Sequence, residues 1–223
     1  MSKKKMKIKD VEKVTHNVLR FTLEDSQKID FTPGQATTIS VDKEGWREED
    51  NPFTFTSLPE DDHLEFTIKI YPKHQGVTNE LSKLKAGEEV ILHSVFGAIE
   101  YKGSGTFIAG GAGVTPFISI IRELDKENKL KENRLIFANS RKEDIINKEE
   151  FKQLLGDDFI NILSREKTEE YDHGYIDAEY IKKHAKDLDD YFYVCGPMPM
   201  IESVVEDLKT LGVKEDKIVK EEF

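Results

Sequence analysis

The sequence predicts a two-part chain, a small antiparallel β-barrel followed by a parallel α/β domain. Three observations carry that expectation. Short β-rich runs with turns between them fill the first hundred or so residues. After about Lys102 strands alternate with helical spacing. A glycine-rich turn then joins the first strand of the second part to its helix. The 223-residue length suits two domains of roughly 100 residues each.

In the first part, Val11, Val14, Val18, Leu19, Phe21 and Leu23 lie in strand-like runs, and Pro33-Gly34 supplies turn chemistry. Thr37–Val41 and Val90–Leu92 are further strands. Phe53-Thr54-Phe55-Thr56 and Leu64–Ile70 alternate with period two. Thr78–Leu84 is the helical stretch of this half. The basic start, Met1 to Lys7, has no apolar run behind it, so it reads as a solvated tail and not as a secretory signal. The segment Tyr101–Gly105 is the natural boundary. Beyond it Thr106–Ala109, Leu135–Ala138, Ile160–Leu163, Tyr191–Val194 and Lys217–Lys220 read as strands. Pro116–Glu127, Lys148–Leu155, Ala178–His184 and Met198–Leu211 read as helices. That alternation implies a parallel sheet with crossover helices.

Composition narrows the function. The net charge of −11 argues against a strong nonspecific grip on nucleic acid or acidic lipid. A single cysteine, Cys195, excludes an internal disulfide and a cysteine-ligated iron–sulfur cluster held by this chain alone. No apolar run reaches the roughly 18 to 20 residues of a membrane helix, so a cytoplasmic protein is expected. The six histidines show no ligand spacing, so no metal is expected, and no Ser–His–Asp arrangement is legible.

Four segments can carry chemistry. Ile108-Ala109-Gly110-Gly111-Ala112-Gly113-Val114-Thr115-Pro116 is a buried strand running into glycines, with Thr115 placed to cap a proline-started helix. Such a turn lets a phosphate approach backbone N–H groups at the positive end of a helix. Asn51-Pro52-Phe53-Thr54-Phe55-Thr56-Ser57 sets a hydroxyl between two aromatics, suited to a flat ring. Gly76-Val77-Thr78 opens a short helix that Thr78 can cap, with Lys69 and Lys73 near in sequence. Tyr193-Val194-Cys195-Gly196-Pro197-Met198 ends a parallel strand at the edge where open α/β sheets bind ligands. Taken singly, each has a plain reading: a tight turn, barrel alternation, a capped helix, a buried structural cysteine.

In this order the segments resemble the ferredoxin–NADP reductase superfamily, over about Lys7 to Phe223. The resemblance implies a six-stranded antiparallel flavin-binding barrel at residues 1–101 and an NAD(P)-binding α/β domain at 102–223. Gly110 to Pro116 resembles the pyridine-nucleotide pyrophosphate loop, with Gly111, Gly113, Val114, Thr115 and Pro116 as contacts. Cys195 to Met200 resembles the nicotinamide-side motif, with Cys195, Gly196, Pro197 and Met198 as contacts. Pro33-Gly34-Gln35 and Phe96-Gly97 are similar to the turn before the second barrel strand and to the closing segment of the flavin domain. Most members carry Arg-x-Tyr-Ser/Thr on the flavin strand. Here Asn51, Pro52, Phe53 and Thr54 stand there, closer to the ferric reductase and NADPH oxidase branch. Without that arginine the flavin pyrophosphate leans on the backbone at Gly76, Val77 and Thr78, with His74 assisting. Ile68, Lys69 and Ile70 complete the implied flavin contacts.

The resemblance implies hydride transfer from a nicotinamide to a flavin, with Thr54, Cys195 and Phe223 in catalytic positions. Thr54 bonds the ring near its N5, Cys195 packs by the nicotinamide, and Phe223 covers the ring until the nucleotide displaces it. FAD is favoured over FMN. NADPH is favoured over NADH, because Ser140-Arg141 and Ser164-Arg165 follow the strands where the family reads the ribose 2′ position, and arginine suits a phosphate dianion. Electrons then pass to a separate one-electron acceptor such as ferredoxin or flavodoxin. Docking of an acidic acceptor would use Lys3, Lys4, Lys5, Lys7 and Lys9, or Lys69, Lys73, Lys83 and Lys85. The alternatives are a ferric-chelate or free-flavin reductase, a noncatalytic flavin or nucleotide sensor, and an electron-transfer subunit of a larger complex. No nucleic-acid or membrane partner is expected.

Overall fold

The structure is a computed structural model that describes residues 3–97 and 99–221. It divides into two compact units, Met1–Gly97 and Ala98–Phe223. No helix among the described residues is long and apolar enough to cross a membrane.

The first unit is built from β1 (Lys4–Thr15), β2 (Val18–Glu24), β3 (Ala36–Val41), β4 (Asp50–Thr54), β5 (His63–Lys69), a short helix α1 (Val77–Leu81) and β6 (Glu89–Phe96). The strands form one antiparallel sheet in the order β4-β3-β6-β1-β2-β5. Its two ends meet just beyond β4, where the Thr56 amide donates to the Glu65 carbonyl of β5 at 2.8 Å. The sheet thus closes into the barrel that the alternating runs implied, which leaves few exposed edges. Alternate residues fill it: Met6, Ile8, Phe21, Leu23, Ile39, Phe66 and Ile68 belong to one core, with Val77 and Leu81 of α1 among them. Phe55 stacks on Phe31 at 4.2 Å inside this core. At the turn into β3, Gly34 takes φ +91° and the Gln35 amide bonds to Thr32, the geometry of a type II turn that needs glycine at its third position.

The basic start is not a tail. It enters β1 at Lys4, because Lys5-Met6-Lys7-Ile8-Lys9 has strand periodicity: Met6 and Ile8 are buried while Lys5, Lys7 and Lys9 point out. Lys3 pairs with Glu48 at 2.7 Å, and Lys5 with the shielded Asp42 carboxylate. Lys7 lies opposite Glu89 on β6.

The second unit runs β7 (Gly105–Gly110), α2 (Thr115–Lys126), β8 (Arg134–Asn139), α3 (Lys148–Leu155), β9 (Phe159–Leu163), β10 (Asp172–His173), α4 (Ala178–His184), β11 (Tyr191–Cys195), α5 (Met198–Thr210) and β12 (Ile218–Lys220). All six strands are parallel, in the order β10-β9-β8-β7-β11-β12. Strand direction explains both faces. Phe107 and Phe137 meet Phe117 of α2 and Phe151 of α3 on one side. Ile108, Ile136 and Val194 pack with Ile181 of α4 and Ile201, Val204 and Leu208 of α5 on the other. Each fully buried aliphatic side chain here contributes about 2 kcal/mol relative to exposure. From β7 the chain steps outward to β8, β9 and β10, then returns to the other side of β7 as β11. The strand order therefore reverses between β7 and β11, the place where open α/β sheets bind ligands.

Two expected caps are absent. α2 begins at Thr115 itself: a 3-10 turn at Gly111–Val114 feeds it directly, and the Thr115 hydroxyl donates back to the Ala112 carbonyl at 3.0 Å. In α1 the cap position is Gly76, and Thr78 lies within the helix.

Candidate functional site

The proposed ring strand, β4, stands at one end of the sheet order. That edge position is why Pro52 is tolerated there, since a proline has no N–H to give a neighbour. Thr54 pairs with Ala36 and Phe53 with Thr37, so the two side chains leave opposite faces of the strand. Phe53 lies half-buried against the barrel core, and Asn51 is exposed. The Thr54 side chain is 9% exposed, and its hydroxyl has no hydrogen-bond partner among the described residues. The hydroxyl is not one of the enclosed polar atoms that lack a partner, so it is open to solvent and free to bond a ring nitrogen brought to it.

At α1 the Gly76 carbonyl accepts the Asn79 and Glu80 amides, which leaves the Val77 and Thr78 amides at the open first turn. A Cβ at Gly76 would meet nothing within 4 Å, so the approach to these amides is clear. The side chains of Val77, Thr78, Ile68 and Ile70 are buried, so these positions have chiefly backbone to offer a ligand. Lys69 lies at the surface of β5, and His74 rests near the exposed Tyr71 ring, 6.0 Å between centroids.

In the second unit the glycine loop after β7 and the Cys195-Gly196-Pro197 loop after β11 interlock. A Cβ on Gly113 would lie 2.5 Å from the Cys195 carbonyl oxygen and from the Gly196 backbone. A Cβ on Gly110 would strike Met200 Sδ, and one on Gly196 would come within 3.1 Å of the Gly110 nitrogen. Gly111 sits at φ +53°, where glycine avoids the penalty of a side chain. These glycines serve loop-to-loop packing at the switch point as well as any ligand. Val114 and Pro116 are buried under the loop, while Pro197 and Met198 are exposed beside it.

Ser140, Arg141, Ser164 and Arg165 come together at the same sheet rim. The Ser164 amide donates to Asn139 O at 2.9 Å, and the Arg165 amide to Ser140 O at 3.0 Å, which extends the β8–β9 pairing past both strands. The Lys142 amide donates to the Glu166 carboxylate at 2.8 Å and the Arg141 amide to Asp144 Oδ2 at 2.9 Å, so two acidic groups share that rim. Asn139 also belongs here. It ends β8 at 7% exposure, and neither atom of its side-chain amide has a hydrogen-bond partner among the described residues. Its signal in the sequence was a polar residue closing the apolar run Leu135–Ala138.

Cys195 ends β11 at 3% exposure, and its Sγ donates to Glu221 Oε2 at 3.2 Å. Burial, reinforced by the adjacent Glu221 charge, pushes the thiol well above its ordinary range, so it is a neutral donor at physiological pH. Burial pushes Glu221 up as well. Phe223 lies outside the described residues.

A Ser–His–Asp trio does come together in the barrel, though not as a relay. Ser40 Oγ is 3.0 Å from His93 Nε2, and Asp50 Oδ2 is 3.9 Å from the same nitrogen. A relay needs the carboxylate on the other ring nitrogen, and Ser40 is fully buried.

A glycine-interlocked switch point and an edge strand carrying an uncommitted hydroxyl define a class of protein, the two-domain flavin and pyridine-nucleotide oxidoreductases. The comparisons agree. The oxidoreductase FAD-binding domain family matches residues 5–101, and the oxidoreductase NAD-binding domain family matches residues 107–206. The reductase component of the naphthalene 1,2-dioxygenase system from Pseudomonas putida is 24% identical over 96% of this chain and 66% of its own length. NADH-cytochrome b5 reductase 1 from Aspergillus terreus is 28% identical over 92% of this chain and 76% of its own. A ferredoxin NADP+ reductase from Neisseria gonorrhoeae, solved with FAD and NADP, superposes with a TM-score of 0.85 at 17% identity, over 99% of this chain and 98% of that one. The chain belongs to the ferredoxin–NADP reductase superfamily of NAD(P)H-dependent flavoprotein reductases. It spans 60% of the 2-halobenzoate 1,2-dioxygenase electron transfer component from Burkholderia cepacia and 66% of the Pseudomonas putida reductase.

Proposed function

We propose that this chain takes hydride from NADPH, and less readily from NADH, onto FAD and delivers electrons to a separate one-electron acceptor such as a ferredoxin or flavodoxin. Residues 1–101 hold the flavin and 102–223 the nucleotide. The flavin, when bound, supplies the chemistry: it accepts a hydride and releases electrons singly. The chain's own residues bind, orient and exclude water. Thr54 gives its uncommitted hydroxyl to the ring near N5, and the Val77 and Thr78 amides meet the flavin pyrophosphate. The loop from Gly111 to Pro116 receives the nucleotide pyrophosphate at the start of α2. Neutral Cys195 packs by the nicotinamide as an uncharged wall that helps keep water from the ring.

The observation that supports NADPH is the backbone pairing that sets Ser140-Arg141 beside Ser164-Arg165, which puts two arginines at one rim, suited by charge to a 2′-phosphate. The test is anaerobic titration of the purified protein, loaded with FAD, while absorbance is followed from about 300 to 600 nm. Bleaching at lower concentrations of NADPH than of NADH is expected, and Arg165→Ala should abolish the preference. Equal or better bleaching by NADH overturns the donor assignment. Flavin bands that persist with both donors overturn the reductase reading.

A further inference from the structure

Glu65 is a charged side chain, 8% exposed, that the chemistry above leaves unused. It lies on β5, and the segment it grips is the one that follows Thr54. β4 pairing ends at Thr54, opposite Ala36, and the Phe55 amide bonds to Gln35 O at 3.0 Å. The next two residues are then clasped by Glu65. The Thr56 amide donates to Glu65 O at 2.8 Å, the Thr56 hydroxyl donates to Glu65 Oε1 at 2.8 Å, and the Glu65 amide donates to Ser57 Oγ at 3.0 Å. Thr67 Oγ1 stands 3.3 Å from the same Thr56 hydroxyl. Behind the carboxylate, Arg20 Nε lies 3.5 Å from Oε2, and Arg20 is itself bridged to Glu12 at 2.9 Å.

Barrel closure does not require this charge. The backbone bond from Thr56 to Glu65 closes the sheet by itself, and an apolar residue would fill the space without desolvating a carboxylate. What the carboxylate adds is direction: it fixes the Thr56 side chain, and with it the twist of the strand two residues earlier. We propose that Glu65 is a positioning residue that sets the Thr54 hydroxyl for the flavin ring. This rests on the reading that Thr54 bonds the flavin.

The test uses the full chain loaded with FAD and four variants: Thr54→Val, Thr56→Val, Glu65→Leu and Glu65→Gln. The readouts are the visible circular dichroism and midpoint potential of the bound flavin, the rate of its reduction at saturating donor, the donor KM and the melting temperature of the apoprotein. Thr56→Val and Glu65→Leu should each slow reduction about tenfold, the equivalent of one hydrogen bond lost from the transition state. They should move the dichroism and potential in the same direction as Thr54→Val, with KM unchanged. Glu65→Gln keeps an acceptor for Thr56 and should restore most of the rate. Adding Glu65→Leu to Thr54→Val should cost nothing further in rate. A slowed Thr54→Val beside an unaltered Thr56→Val overturns the positioning role and leaves the Thr54 reading in place. An unaltered Thr54→Val overturns that reading and the inference with it. If Glu65→Leu does not fold, Thr56→Val decides, since it removes one hydroxyl only.

Discussion

At the scale of single residues, the buried Cys195 thiol donates to Glu221, and the Glu221 carboxyl takes up a proton of its own as pH falls. Burial raises the native carboxyl above its unfolded value, so the folded state binds that carboxyl proton more tightly than the unfolded chain does. Stability on this account is greatest below the ordinary carboxyl range and declines as pH rises from there through the raised native value. Glu221→Gln should flatten that decline, which denaturant melts taken between pH 4 and 8 would register. Gly113 makes a second residue-scale case. A methyl there meets backbone on two sides, at 2.5 Å, and backbone cannot swing away as a side-chain tip can. Gly113→Ala should cost about 1–3 kcal/mol, the usual range for overpacking, and raise the donor KM. Calorimetry and steady-state kinetics check the two halves of that statement. The glycines and Cys195 were legible in the sequence because each sits in a contiguous motif. The Glu65 clasp was not, because it forms across a hairpin where neither partner has a local signature. The caps at Thr115 and Thr78 misled for a related reason: a threonine before a helix signals a cap only if the backbone leaves its helical path there, and at Thr115 the preceding 3-10 turn keeps it on that path.

Among the elements, α3 and α4 run from Lys148 to Leu155 and from Ala178 to His184, the limits their apolar spacing indicates. Asp177 explains the start of α4, since its carboxylate accepts the Tyr180 amide at 2.8 Å. β1 is the opposite case. Its lysines outweigh Met6 and Ile8 in any composition window, and only the period of two reveals the strand. β11 shows what one element can hold beyond its ladder. The Tyr193 ring stacks on Phe107 at 4.7 Å, and its hydroxyl accepts the Lys102 and Gly103 amides at 2.9 and 3.0 Å while donating to Gly103 O at 2.7 Å. Burial drives this phenol up to about 12, so it stays neutral and can play both parts. Tyr193→Phe keeps the stack but orphans two amides. It should lower stability by about 1–3 kcal/mol with the bound-flavin spectrum unchanged, as equilibrium unfolding and absorbance would show.

For the whole molecule the governing quantity is charge. Residues 1–97 carry 14 basic and 17 acidic side chains, and residues 98–223 carry 19 and 27, so most of the net −11 belongs to the second unit. Lysines that might have formed a docking patch are partly spent, Lys3 on Glu48 and Lys5 on Asp42. An acidic acceptor therefore meets net repulsion at long range, which salt screens over a Debye length of about 8 Å at physiological strength. Reduction of a strongly acidic acceptor should accelerate as ionic strength rises from about 20 to 200 mM, and stopped-flow traces at graded salt would reveal it. A rate that falls with salt would instead locate a concentrated basic patch. The distribution of charge between the halves was countable from sequence. The spending of the lysines was not, since it depends on which strand lies beside which.

The two loops at the switch point also bear on how such a chain can change over generations. Gly110 and Gly113 occupy space that Gly196 and Met200 define, so a side chain gained in one loop is admissible only after the other has drawn back. The two are inherited in effect as one character, although a long stretch of chain lies between them. Segments exchanged among relatives would best be joined near residue 102. A junction between 116 and 195 would bring together loops that were never fitted to each other.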